Sequence, residues 1–303
     1  EILKKMGEDK IEVDVTELRE STTVAPSPGF FQSPEQLKEQ LHEEGIRLEK
    51  EGKYKEALVA MLKYRKLLEQ EGQDEETAAT ANLYKEMGEA FFRQAEYADA
   101  EMYFSKELAL RQRLFPSDDV SFGHLNLNMG SLRKDQAQYA EALENYQEAF
   151  RIYLAKLDAK SISVGNTYNN MGNVYQKQGK YDLALEHYAK ALEINIAAYS
   201  GEKHPSIGDI YNNMAIVYQN QGKYDLALEH YAKALEIYIA AYDGEKHPSV
   251  AMTYRNMGLV YEKKSDKSTA LSYYRKALAI NKEILGDSHT ETIYSKEGVD
   301  RCS

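Results

Sequence analysis

Apolar residues recur along this chain at helical spacing. Between Val164 and Gln178, the positions Val164, Tyr168, Met171, Val174 and Tyr175 follow the i, i+3, i+4, i+7 rule of an amphipathic helix. Ala184, Leu185, Tyr188, Ala191, Leu192 and Ile194 do the same in the following stretch. The two patterns meet at Gln178-Gly179-Lys180-Tyr181-Asp182, which predicts two helices joined by a tight turn. The stops are also legible. Gly201 to Ser206 and Gly244 to Ser249 repeat Gly-Glu-Lys-His-Pro-Ser, in which the glycine is expected to end one helix. Pro205 and Pro248 are expected in the first turn of the next, where a missing N–H costs nothing. Ser161, Ser117 and Asp74 are the expected caps of other first helices.

This two-helix pattern is periodic. Gly179 to Tyr199 and Gly222 to Tyr242 are the same sequence except for Asn195 against Tyr238. Met-Gly or Met-Ala pairs begin at Met87, Met129, Met171, Met214 and Met257, in steps of 42, 42, 43 and 43, and Gly45 adds a sixth copy. A fixed period of this size means an array of identical supersecondary units and not a single globule.

Counting Met171 as position seven, small residues occupy position eight (Gly45, Gly88, Gly130, Gly172, Ala215, Gly258) and alanine occupies position twenty (Ala57, Ala100, Ala142, Ala184, Ala227, Ala270). Aromatics occupy positions eleven, seventeen and twenty-four, as in Tyr175, Tyr181 and Tyr188. This resembles the tetratricopeptide repeat, and the long period with its Gly-Glu-Lys-His-Pro-Ser linker resembles the approximately 42-residue repeats of kinesin light chains. Glu44, Arg133, Glu107 and Lys267 depart from the pattern at positions seven, eleven, twenty-seven and seventeen. The resemblance implies an all-α right-handed αα superhelix of six helix pairs: 35–73, 74–116, 117–160, 161–203, 204–246 and 247–287. Residues 288–303 match only a first helix and read as a C-terminal capping helix, and residues 1–34 lie outside the period.

Composition narrows the chemistry. With 38 basic and 49 acidic residues the net charge is −11, which argues against nucleic acid as a partner. One cysteine, Cys302, leaves no internal disulfide or cysteine-based zinc site and suggests a cytoplasmic setting. No apolar run approaches the roughly 18 residues that cross a bilayer. The chain begins without Met, which suggests a fragment. No phosphate loop, nucleophile elbow or HExxH is found, and the repeated histidines, His187 with His230 and His204 with His247, lack metal-ligand spacing. The expectation is a non-enzyme without metal or cofactor.

In the family resembled, first helices line a concave groove at positions two, five, six, nine and thirteen. Position six is Asn128, Asn170, Asn213 and Asn256, joined by Asn169 and Asn212 at position five and Asn173 at position nine. Asparagine is a mediocre helix former, so its recurrence on one face points to its carboxamide, which both donates and accepts. Such a row suits the backbone of an extended partner peptide; it equally suits hydrogen bonds between neighbouring helices. Lys85 and Arg255 at position five, with Arg93, Lys177 and Lys263 at position thirteen, give the same face a cationic lean towards acidic peptides. Glu86 and Asp135 oppose it. Lys10 to Val15 alternates like a strand or an extended binding segment and Ala25 to Phe31 reads as a breaker-rich linker; residues 1–24 are either plain disorder or an acidic extended segment that docks on the chain's own groove or another copy's. The resulting reading is a protein-binding scaffold, a cargo or cytoskeletal adaptor by resemblance. The alternatives are a self-assembling structural protein and the regulatory domain of a larger one.

Overall fold

A computed structural model describes residues 33–70, 77–200 and 203–303. The acidic stretch 1–24 and Asp74 lie outside the described residues. Thirteen α-helices and no strands are found among those described. In order they are α1 (Pro34–Lys50), α2 (Tyr54–Gln70), α3 (Ala78–Arg93), α4 (Tyr97–Leu114), α5 (Val120–Asp135), α6 (Tyr139–Lys156) and α7 (Ile162–Lys177). There follow α8 (Tyr181–Ala198), α9 (Pro205–Asn220), α10 (Tyr224–Ala241), α11 (Pro248–Lys263), α12 (Lys267–Leu285) and α13 (Thr290–Cys302). The fold class is all-α, built of consecutive helix pairs typical of the αα superhelix, with α13 as a lone final helix.

The chain divides into two compact halves, one ending at Leu132 and the other starting at Arg133. In the first half, Leu83, Met87 and Ala90 of α3 pack with Leu58 and Met61 of α2 and with Tyr103 and Phe104 of α4, and Leu125 and Leu132 of α5 join them. In the second half the small residue at position eight meets the ring at position twenty-four. A Cβ on Gly172 would stand 2.6 Å from the Tyr188 ring, which is fully buried. Gly88 under Phe104 shows the same relation in the first half, at 2.5 Å. Tyr274 is covered twice, by Gly258 of α11 and by Gly298 of α13. The buried hydroxyls find partners at position twelve of their own copy: Tyr188 donates to Gln176 at 3.1 Å, Tyr231 to Gln219 at 2.9 Å and Tyr274 to Glu262 at 2.6 Å.

Several helix boundaries differ from expectation. Thr77, not Asp74, caps α3, its hydroxyl accepting from the Thr80 amide. Asp119, not Ser117, accepts the first-turn N–H of α5, from Ser121. Ser161 stands at the N-cap of α7, yet its hydroxyl accepts no first-turn N–H. Past α10 the residue in the left-handed region is Asp243 (φ 53°), one before the expected Gly244, whose N–H reaches the Ile239 carbonyl. Ser200 (φ 54°) does the same past α8. Pro205 and Pro248 do open α9 and α11.

The turn inside each pair has one geometry. Position fifteen is left-handed in all six copies, as Gly52, Ala95, Ala137, Gly179, Gly222 and Ser265, with φ between 59° and 75°. Three copies use the glycine this conformation favours and three hold a side chain in it at a cost of about 1 kcal/mol each. Ala95→Gly, Ala137→Gly and Ser265→Gly are therefore each expected to raise stability, by up to about 1 kcal/mol. Urea denaturation followed by circular dichroism reads this directly; a lowered midpoint would contradict it.

Candidate functional site

The face carrying positions five, six, nine and thirteen of the first helices is built differently in the two halves. In the second half α7, α9 and α11 bring the predicted asparagines together as a directional chain. The Nδ2 of Asn213 donates to Oδ1 of Asn169 at 3.1 Å, and the Nδ2 of Asn256 donates to Oδ1 of Asn212 at 3.5 Å. Each bond runs from position six of one copy to position five of the copy before. Asn212 and Asn256 are buried, whereas Asn169, Asn170, Asn173 and Asn213 are half-buried. The Oδ1 of Asn173 accepts from the Tyr188 hydroxyl at 2.7 Å. Asn170 makes no side-chain hydrogen bond to a described residue.

Cations flank this row. Lys177 and Lys263 are exposed and form no ion pair with a described residue. Arg255 is partly neutralised, its Nη1 lying 3.2 Å from Oε2 of Glu291 while its guanidinium covers the Tyr294 ring. The one position-two carboxylate here, Asp209, accepts from the Tyr238 hydroxyl at 2.6 Å.

The first half places Lys85, Arg93 and Asn128 among carboxylates. Asn128 donates to Glu89 at 2.7 Å and Lys85 lies 3.8 Å from the same carboxylate. Burial pushes the carboxyl of Glu49 above its usual range, and Glu89 and Glu86 add to this by repulsion, while Lys85 and Arg93 pull the other way. Burial also raises Glu86, against the attraction of His42, whose Nε2 is 3.6 Å away and whose ring stacks on Tyr64. An anionic ligand has a weaker claim on this half than the basic positions alone suggest.

A family model of the tetratricopeptide repeat matches residues 121–197 and 206–283, just over half of the chain. This chain belongs to the tetratricopeptide repeat family. Its fold is similar to BtubC (BKLC) from P. vanneervenii, at 19% identity and a TM-score of 0.57 over 84% of this chain and 94% of that one. It is similar also to a protein from Podosopora anserina assigned to the kinesin light chains, with nearly identical TPR-like repeats, at 18% identity and a TM-score of 0.54 over 69% of this chain and 99% of that one. The APC/C hetero-tetramer Cut9-Hcn1 is matched at 15% identity and a TM-score of 0.60, over 88% of this chain and 42% of that one. No curated protein matches the chain as a sequence relative.

Tetratricopeptide arrays are protein–protein interaction scaffolds and are in general non-catalytic. No described helix is long and apolar enough to cross a membrane, and no described cluster of His, Cys, Asp or Glu could hold a metal ion.

One functional-looking group escaped the sequence pattern. Glu107, where the third to sixth copies carry alanine, is fully buried and accepts from Arg111 Nε at 2.7 Å; Arg111 also donates to Asn82 at position two of the face, at 2.9 Å. The signal was present in the departure itself, since Glu107 and Arg111 stand four apart on α4. Burial, opposed by Arg111, leaves the Glu107 carboxyl pushed up to about 7. The unfolded chain releases this proton earlier as pH rises, so stability is lost between about pH 4.5 and 7, with a slope on the order of 1 kcal/mol per pH unit. Glu107→Gln keeps an acceptor for Arg111 and is expected to flatten that slope. Denaturant midpoints of both proteins at about pH 5 and 7.5 check it, and equal slopes would refute the assignment.

Proposed function

We propose that this tetratricopeptide protein is an adaptor that binds an extended segment of a partner protein along the first-helix face of its second half. The observation that carries the reading is the carboxamide row. Its internal bonds use Nδ2 of Asn213 and Asn256 and Oδ1 of Asn169, Asn212 and Asn173, leaving the opposite ends of the half-buried Asn169, Asn173 and Asn213, and all of Asn170, to meet a peptide backbone, while the buried Asn212 and Asn256 hold the row in place. Because peptide amides recur irrespective of sequence, these contacts supply affinity. Lys177, Lys263 and Arg255 then favour segments bearing carboxylates.

Lys85, Arg93 and Asn128 belong to a less cationic face of the same kind in the first half. The likeness in repeat period to kinesin light chains supports a cytoplasmic cargo or cytoskeletal adaptor. In this reading the acidic segment 1–24 competes for the face, and its deletion raises affinity for an external peptide.

Affinity capture with this chain, and with Asn170→Ala, Asn213→Ala and Asn256→Ala combined, tests the proposal. A partner retained by the unchanged chain is expected to bind the triple variant about tenfold or more weakly, at roughly 1 kcal/mol for each lost contact set. Its retention is expected to fall as salt rises. Circular dichroism establishes that the variant is folded. Equal retention by a folded variant would move the function off this face.

A further inference from the structure

The starts of three successive first helices share a device that the adaptor reading does not use. Pro205 and Pro248 occupy the first helical position of α9 and α11 and have no N–H, so the first orphan donors are the amides of Ser206 and Ser249. Each is taken by an imidazole: Ser206 donates to Nδ1 of His204 and Ser249 to Nδ1 of His247, both at 3.2 Å. The start of α13 is built alike, the Glu291 amide donating to Nδ1 of His289 at 3.2 Å. Two of the rings are fixed by stacking on the last residue of the preceding turn, His204 on Tyr199 with centroids 3.6 Å apart and His247 on Tyr242 at 3.3 Å. Serine, threonine or aspartate would cap these helices without titrating near neutrality. An imidazole caps only while its Nδ1 carries no proton.

We propose that His204, His247 and His289 form an acid-sensitive latch, in which protonation of Nδ1 removes the acceptor from the starts of α9, α11 and α13 together. The imidazolium would also stand at the positive end of a helix dipole, which adds repulsion to the lost bond.

The surroundings of each ring set the balance. Asp209 of α9 lies near both His204 and His247 and is itself engaged by Tyr238 of α10. Among the described residues nearby, Lys203 pairs with Glu236 of α10, Lys246 with Glu283 of α12, and Glu245 accepts from the Tyr254 hydroxyl of α11, while Asp243 beside Tyr242 carries a further negative charge. Around His289, Asp287 pairs with Lys282 of α12 and Glu291 with Arg255 of α11. For His247 burial outweighs Asp209 and holds the ring below the usual imidazole value. The neutral His247 cap therefore contributes fully above about pH 6.5, and its contribution is lost as pH falls from there through the folded value.

Hydrogen–deuterium exchange of the full chain at about pH 7.5 and 5.5, corrected for intrinsic rates, tests the latch against the variant His204→Asn, His247→Asn, His289→Asn, since asparagine caps without titrating in this range. In the unchanged chain, protection in the first turns of α9, α11 and α13 is expected to fall roughly fivefold at the lower pH, the worth of one cap. The start of α7, with no imidazole, is expected to hold constant, and the variant to show no pH effect at any of the four. An equal fall in the variant, or none in the unchanged chain, overturns the proposal. Imidazole 15N shifts of the unchanged chain give a second readout that needs no variant fold: at about pH 7.5 all three rings are expected as Nε2–H tautomers with bare Nδ1, and the Nδ1–H tautomer would equally sink it.

Discussion

The contact on which the second, fourth and sixth copies depend is an aromatic ring set against a glycine, and in the first copy Met61 meets Gly45 in its place. Tyr188 on Gly172, Phe104 on Gly88 and Tyr274 on Gly258 set a ring directly against the backbone of the facing helix. That closeness fixes the rest of the copy. It buries alanine at position twenty with no space to spare, and it carries the tyrosine hydroxyl across to a polar group one turn further along the first helix. A tyrosine so placed is an apolar spacer with a polar tip, which explains why the chain uses 24 tyrosines and no tryptophan.

Because every copy solves the same packing problem, the architecture was readable from the chain alone. The period, the helix-pair pattern and the small residue at position eight each demanded the same answer, and residues such as Met171, Gly172 and Ala184 stand where the pattern requires. The capping residues were less legible. Asp119 displaces Ser117, because several polar residues near a helix start compete and backbone geometry chooses among them. The left-handed turn at position fifteen was hidden wherever alanine or serine fills it, since neither residue advertises a positive φ.

The candidate face was legible in its residue types but not in its bonding. Spacing placed Asn169, Asn213, Asn212 and Asn256 on one side of their helices, while only three dimensions show that they bond to each other across copies, and in one direction. The cationic positions teach the opposite lesson. Lys85 and Arg255 stand at the same repeat position, yet Lys85 faces Glu89 of its own helix and Arg255 faces Glu291 of another. Charge at a repeat position is decided by neighbours that the period does not control.

Tyr274 belongs to α12, but its ring is covered by two different neighbours, Gly258 before it and Gly298 after it. The copy is thus not the indivisible brick of this array. A cut placed between α12 and α13 would leave whole pairs and still bare one side of the sixth copy's central ring, whereas a cut that keeps one extra first helix leaves the ring covered. Anyone shortening this protein should count in pairs plus one.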